Sequence, residues 1–333
     1  MALAHLETSS FLVDNGRGHR LFVKRIIEPS AYDPSRRALL IVPGYGMNSF
    51  IFGYHPRGTS LMGHLARLGF EVWTFDLRGT GSSQRLHRHA EKACLQSYIV
   101  DDLPKIIEAV LMRTASVDDT RLDVIGASLG GTMVYAHLAL RGRHDSRFGR
   151  VVTVGAPLRW ERIHPALRVA FASPWLIGRI RLAGTRRLAE VALPVVRRVP
   201  KLLSFYMNPA IVDLRRASEL ARTVEDPNPT VNADIARWMK ERDLSLLGVN
   251  VTEALVDLGD MPLLVVVANR DGIVPLETAL SAERAWGGPV ETLHVGDDKT
   301  WYAHADLFIG DPAPEAVFDP IAAFLMRDAH AAA

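Results

Sequence analysis

Leu122-Asp123-Val124-Ile125-Gly126-Ala127-Ser128-Leu129-Gly130-Gly131 is the stretch on which the reading of this chain turns. Leu122–Ile125 has the aliphatic make-up of a buried strand, and apolar residues recur at helical spacing from Leu129 to Leu140. Between the two lies a serine bracketed by glycine at both second neighbours. This strand–turn–helix setting is what a nucleophile elbow requires. On such a sharp turn, side chains at positions 126 and 130 would collide with neighbouring backbone. The helix that follows aims its positive end and the Leu129 amide at any oxyanion formed beside Ser128. A plain N-cap serine is the alternative reading; the third small residue, Gly131, favours the elbow.

Working outward, further strand-like runs stand at Ala38–Pro43, Phe70–Phe75, Val151–Val154, Pro262–Ala268 and Val290–Val295. Each is read as buried on both faces. Helical periodicity fills Ser97–Arg113, which opens with Asp101, Asp102 and Pro104, and also Pro275–Trp286 and Ala316–Met326. Strands alternating with helices predict an α/β fold with a mostly parallel sheet flanked by helices. Before them, Glu7–Asp14 and Arg20–Ile27 flank the turn Asn15-Gly16-Arg17-Gly18 and read as an antiparallel hairpin. One connection breaks the rhythm. About 100 residues separate Gly155 from Pro262, too many for a structureless loop. Residues 157–258 are therefore expected to form an inserted helical cap, with 1–156 and 259–333 as the core.

A serine hydroxyl needs a base, and the base an orienting acid. The run Pro262–Ala268 leads into Asn269-Arg270-Asp271-Gly272, which puts Asp271 at a strand's carboxyl end. Gly155-Ala156-Pro157, after the preceding strand, offers no carboxylate. A turn aspartate beside Gly272 is the plainer reading of Asp271. Of the three histidines beyond it, His294 falls within a strand and His330 in the alanine-rich tail. His304 occupies the loop after the last strand and is selected by elimination. A second oxyanion donor is expected from the loop Pro43-Gly44-Tyr45-Gly46, with the Tyr45 amide as the candidate beside that of Leu129.

The composition is ordinary: 333 residues, net charge +2, 48% hydrophobic and 23% charged. That excludes a disordered chain and gives no overall case for nucleic-acid binding. A single cysteine, Cys94, excludes a disulfide framework and is expected as a small buried hydrophobe. The segment Met1–Ser10 carries Glu7 and no apolar core, so no signal peptide is read there. The longest uncharged apolar stretches, Val169–Gly178 and Pro262–Ala268, fall short of the roughly 20 residues that span a bilayer. A cytoplasmic location is expected. No metal or cofactor is expected. Arg85–Glu91 has histidines at no ligand spacing, and Gly79-Thr80-Gly81-Ser82-Ser83-Gln84 lacks the third glycine of a dinucleotide fingerprint. Asp76 and Arg78 are read as fixing their turn. Pro157–Lys201 carries ten basic residues against two acids, interleaved with Trp160, Phe171 and Trp175. Transient docking on an anionic lipid surface is one reading of it. A solvated face with arginine stems covering apolar surface is the other.

The elbow around Ser128, the segment Asp76-Leu77-Arg78-Gly79-Thr80-Gly81-Ser82 and Gly272–Pro275 together resemble the α/β-hydrolase superfamily, over nearly the whole chain. His304-x-Asp306-Leu307-Phe308-x-x-Gly310 and Phe70-Glu71-Val72-Trp73 are similar to segments of acid lipases. Pro43 stands where the family usually has histidine before the glycine, and the tail is reminiscent of polyhydroxyalkanoate synthases, which use cysteine in the elbow. The resemblance implies ester hydrolysis through an acyl-serine under a mobile cap over an apolar acyl pocket. It puts the roles on Ser128, Asp271, His304, Tyr45 and Leu129. The expected partner is a small-molecule or lipid-like ester. Acyl transfer from the same acyl-serine remains open, as does a silent fold that binds lipid or a partner.

Overall fold

The computed structural model describes residues 5–177, 204–226 and 228–327. Eight strands carry the main sheet: β1 (Glu7–Asp14), β2 (His19–Ile27), β3 (Leu39–Val42), β4 (Val72–Phe75), β5 (Leu122–Ala127), β6 (Phe148–Val154), β7 (Leu263–Ala268) and β8 (Val290–Val295). They lie in the order β1-β2-β4-β3-β5-β6-β7-β8, and a two-residue strand, Gln84–Arg85, adds to β2. β1 and β2 form the expected hairpin, β2 pairs antiparallel with β4, and every later pairing is parallel.

The central strands are buried along their whole length, and their side chains alternate between two cores. From β7, Leu263, Val265 and Val267 enter one apolar cluster, while Leu264, Val266 and Ala268 enter the other. That period of two is what a sheet covered on both faces demands. The first cluster packs against the helices Leu103–Leu111 and Leu129–Asp145, the second against Leu61–Arg67 and Asp319–Met326.

Several expectations shift. β8 is the sheet edge, so only Val295 of Val290–Val295 is buried. β5 runs two residues beyond Ile125, right up to Ser128. The periodic segment Ser97–Arg113 is not one regular helix: a π-turn, Tyr98–Asp102, precedes Leu103–Leu111. Asp102 does not face solvent at a helix start but is fully buried. Its carboxylate accepts two bonds from Arg78, at 2.7 and 2.6 Å, and one from Asn15 at 2.7 Å. Asp76 does fix its turn, accepting the amides of Ser49 and Ser82 at 2.6 and 2.7 Å, whereas the Arg78 side chain reaches out of the turn to Asp102. Cys94 is only half-buried, and its Sγ accepts the Ser97 amide at 3.3 Å as a helix cap.

Between β6 and β7 the described residues form short helices, chiefly Pro165–Ala170, Pro174–Ile177, Ala217–Ala221 and Pro229–Glu241. A small hairpin, Ser245–Leu246 with Val249–Asn250, follows. Pro229–Glu241 starts with Asn228 accepting the Thr230 amide and with Pro229 at its first position. Its buried stripe is Val231, Ile235, Trp238 and Met239. Most of the basic residues counted in Pro157–Lys201 lie outside the described residues, as does His330. Among the described residues no helix is long and apolar enough to cross a membrane.

Candidate active site

Parallel strands present their carboxyl ends on one side of the sheet, where α/β folds collect ligands. In register, Val42 of β3 pairs with Gly126, and Ala127 of β5 with Val154. The segments after β3, β5, β6 and β7 therefore leave the sheet side by side. They bring Gly44-Tyr45, Ser128, Gly155 and Asp271 to one place.

Ser128 has φ 52° and ψ −123°, a conformation that costs a non-glycine residue on the order of 1–3 kcal/mol. It persists because its surroundings over-determine it. The Ser128 amide donates to Val154 O at 2.8 Å, and its carbonyl accepts from Gly131 N at 2.9 Å. A side chain at position 126 would strike the Gly131 backbone, and one at position 130 would strike the Val42 carbonyl. The glycines of the quoted stretch thus let the turn press against β3 and its own helix.

Asp271 and His304 meet across the mouth of β7. Imidazole Nδ1 lies 2.6 Å from Asp271 Oδ2, with both side chains 2% exposed. Asp271 Oδ1 accepts the amides of Ile273 and Val274 at 2.8 and 2.9 Å. The carboxylate is therefore fixed in orientation, with Oδ2 turned to Nδ1 of the ring. The ring sits over Gly155. A Cβ there would come within 3.1 Å of His304 Cε1 and 3.4 Å of Asp271 Oδ2, and φ is +56° as well. Gly155 directly follows Val154, whose carbonyl holds Ser128, so imidazole and serine converge on one strand end. No hydrogen bond joins Ser128 to His304 among the described residues.

The loop after β3 abuts the serine. A Cβ at Gly44 would lie 2.9 Å from Ser128 Cβ. The Tyr45 and Leu129 amides have no hydrogen-bond partner among the described residues. The Tyr45 side chain points into the insertion, where its buried hydroxyl donates to Asn232 Oδ1; burial raises that phenol well above the usual tyrosine range.

Sequence reasoning missed the residues that brace these groups. Asp306, fully buried two residues after His304, accepts the amides of Ala303 at 2.6 Å and Asn208 at 2.9 Å. Burial pushes its carboxyl up to about 7 against the pull of those amides, and Asp271 nearby raises it further. Asn208 Nδ2 donates to Trp301 O at 2.8 Å, and the Ala305 amide to Tyr206 O at 2.9 Å. The insertion is thereby stitched to the histidine loop. It is stitched to the loop after β3 as well, through Glu225 N to Gly46 O at 2.9 Å and Asn48 Nδ2 to Arg222 O at 2.9 Å. The spacing of Asp306 from His304 was the one available signal. Ser128 is 6% exposed and His304 2%, so both side chains are buried. No group of three metal-ligating side chains occurs among the described residues.

The model of the α/β-hydrolase fold family matches residues 37–298, a span that includes Ser128 and Asp271 and ends just before His304. No curated protein matches the chain. Among solved structures, it is similar to an esterase from Rhodococcus sp. at 18% identity and TM-score 0.62, covering 96% of this chain and 98% of that one. A hydrolase from Pseudomonas aeruginosa gives 17% and 0.60, with 96% and 99% covered. An esterase from Exiguobacterium antarcticum gives 15% and 0.60, with 96% and 100% covered. At these identities the likeness is one of fold, and it agrees with the family match over most of the chain. The chain belongs to the α/β-hydrolase fold family.

Proposed function

We propose that this protein hydrolyses carboxylic esters with an apolar acyl group through an acyl-serine intermediate. The observation that carries the reading is the strained backbone of Ser128, φ 52° and ψ −123°, beside a buried His304–Asp271 pair at 2.6 Å. Strain held at a glycine-packed turn points to function, because the surrounding structure must over-determine it. The solved esterases of the same fold add weight. The apolar preference rests on the surroundings: Leu129, Leu158, Trp160, Ile235 and Trp238 share one buried cluster, with Tyr45 packed against it.

In this reading Ser128 Oγ attacks the ester carbonyl carbon while His304 Nε2 takes its proton. Asp271 holds the Nδ1–H tautomer and offsets the imidazolium charge. The amides of Leu129 and Tyr45 receive the oxyanion. Collapse of the tetrahedral species breaks the bond to the alcohol, which leaves with the proton from Nε2. Water, deprotonated by the same nitrogen, then releases the carboxylic acid and restores Ser128. The described part of the insertion, tied to the loop after β3 and to the histidine loop, acts as a cap beside the site. The low exposure of Ser128, 6%, suits equally a second reading in which an alcohol or thiol takes the acyl group instead.

Intact mass after incubation with a small fluorophosphonate tests the proposal. The expected result is one adduct on the parent chain and none on a folded Ser128→Ala variant, with kcat on esters lowered by roughly 10⁴–10⁶. An adduct on the variant, unchanged ester turnover, or a parent that stays unmodified in detergent would overturn it. Added acceptor alcohol, with analysis of the products, separates hydrolysis from transfer.

A further inference from the structure

Against the loop that follows β3 lies a cavity of about 360 Å³. Four parts of the chain close around it: the β1–β2 hairpin, residues 48–50, the turn at 76–82, and Arg222 and Glu225 of the insertion. Its charged groups are in two different states. Both carboxylates are engaged: Asp76 takes an amide on each oxygen, and Glu225 Oε1 accepts from Asn48 Nδ2 at 2.5 Å. Both cations are not. Lys24 Nζ, half-buried, forms no ion pair or hydrogen bond among the described residues. Burial pulls its ammonium below the usual lysine range, against the opposing pull of Asp76. The Arg222 guanidinium lies 4.2 Å from the centre of the Phe50 ring and pairs with no carboxylate among the described residues. A stacked guanidinium keeps its N–H edge free for an acceptor. The hydroxyls of Thr8 and Ser10 line the same wall, and Ser10 is the cross-strand neighbour of Lys24.

We propose that this cavity binds a small oxyanion, the carboxylate or phosphate group of a small molecule, between Lys24 and Arg222. Neither Lys24 Nζ nor the Arg222 guanidinium has an acceptor among the described residues, and an oxyanion would supply one to both cations at once.

Calorimetry and thermal unfolding with inorganic phosphate and with acetate, each against sodium chloride at equal ionic strength, test the site without ester turnover, so the outcome is independent of the role given to Ser128. Binding is expected to raise the parent Tm by roughly 2–4 °C. Lys24→Met should abolish that rise, and Arg222→Gln should weaken binding at least about tenfold. A response to phosphate alone identifies a phosphate site, a response to acetate alone a carboxylate site, and a response to both a site that reads charge. No response beyond that to chloride, or an undiminished response in Lys24→Met, would overturn the proposal.

Discussion

Asp102 and Asp271 are both buried carboxylates that grip a nitrogen base from a distant part of the chain. Asp102 holds Arg78 through two bonds, with neither side chain exposed, and Asn15 completes the set. Asp271 holds His304 through one bond and spends its other oxygen on two amides. A guanidinium keeps its charge at every pH a protein meets, so the first pair is permanent and ties the π-turn to the loop after β4. An imidazole gains and loses a proton near neutrality, and its second nitrogen points away from the carboxylate. The same carboxylate chemistry therefore builds in one place and, in the proposed function, orients a base in the other. The partner side chain makes the difference.

The comparison breaks if the two pairs respond alike to removal of one partner. Asp271→Asn should lower kcat by roughly 10⁴ while leaving the urea midpoint nearly unchanged, because the amide still fills the space but holds the wrong imidazole tautomer. Arg78→Met should do the reverse. It strands the Asp102 carboxylate without its counter-charge, at a cost of about 3–5 kcal/mol in unfolding free energy, with kcat per folded molecule retained. Equilibrium urea unfolding beside active-site titration measures both. A variant at Arg78 that loses activity without losing stability would place Asp102 in the working site instead.

The smallest effect sharpens the contrast. Asp306 is a buried carboxylate with no cation of its own, faced by Asp271, His304, Tyr206 and Tyr302. Its folded value of about 7 lies above the ordinary aspartate value of about 3.9. Between those two values the folded chain keeps a proton that the unfolded chain releases. The stability this lends is complete below about pH 4 and is lost as pH rises through about 7. Relative to Asp306→Asn, the parent should therefore fall in urea midpoint between about pH 5 and about pH 8. A difference that is flat, or that runs the other way, would show Asp306 to be ionised throughout.

Features written in a few consecutive residues were legible in the sequence. The turn around Ser128 needs glycine at fixed offsets, and strands buried on both faces read as unbroken aliphatic runs. His304 was found because the other two late histidines sit in a strand and in the tail. What stayed hidden depends on residues far apart: Asn15 reaches Asp102 across 87 positions, and Tyr45 reaches Asn232 across 187. The π-turn hid for the same reason, since Tyr98–Asp102 departs from a regular helix where Asp102 meets Arg78. The edge position of β8 set its exposure, and its sequence carried the sign of it: Glu291, Thr292 and His294 interrupt the apolar residues, where Leu263–Ala268 runs unbroken.

The double stitching of residues 204–226 bears on how this chain can be diversified. Glu225 and Arg222 hold the loop after β3, Tyr206 and Asn208 the loop of His304. A chimera that takes the segment between β6 and β7 from another member of the family therefore inherits more than a new lining for substrate. It must also supply a carbonyl for Asn48, an amide for Gly46 and an amide for Asp306, or both loops lose their outer supports. The start of the segment is bound in as well, since Pro157 O accepts from Thr132 on the helix after Ser128, Leu158 and Trp160 belong to the buried core, and Arg162 is held by Thr278, so a graft must keep those positions too.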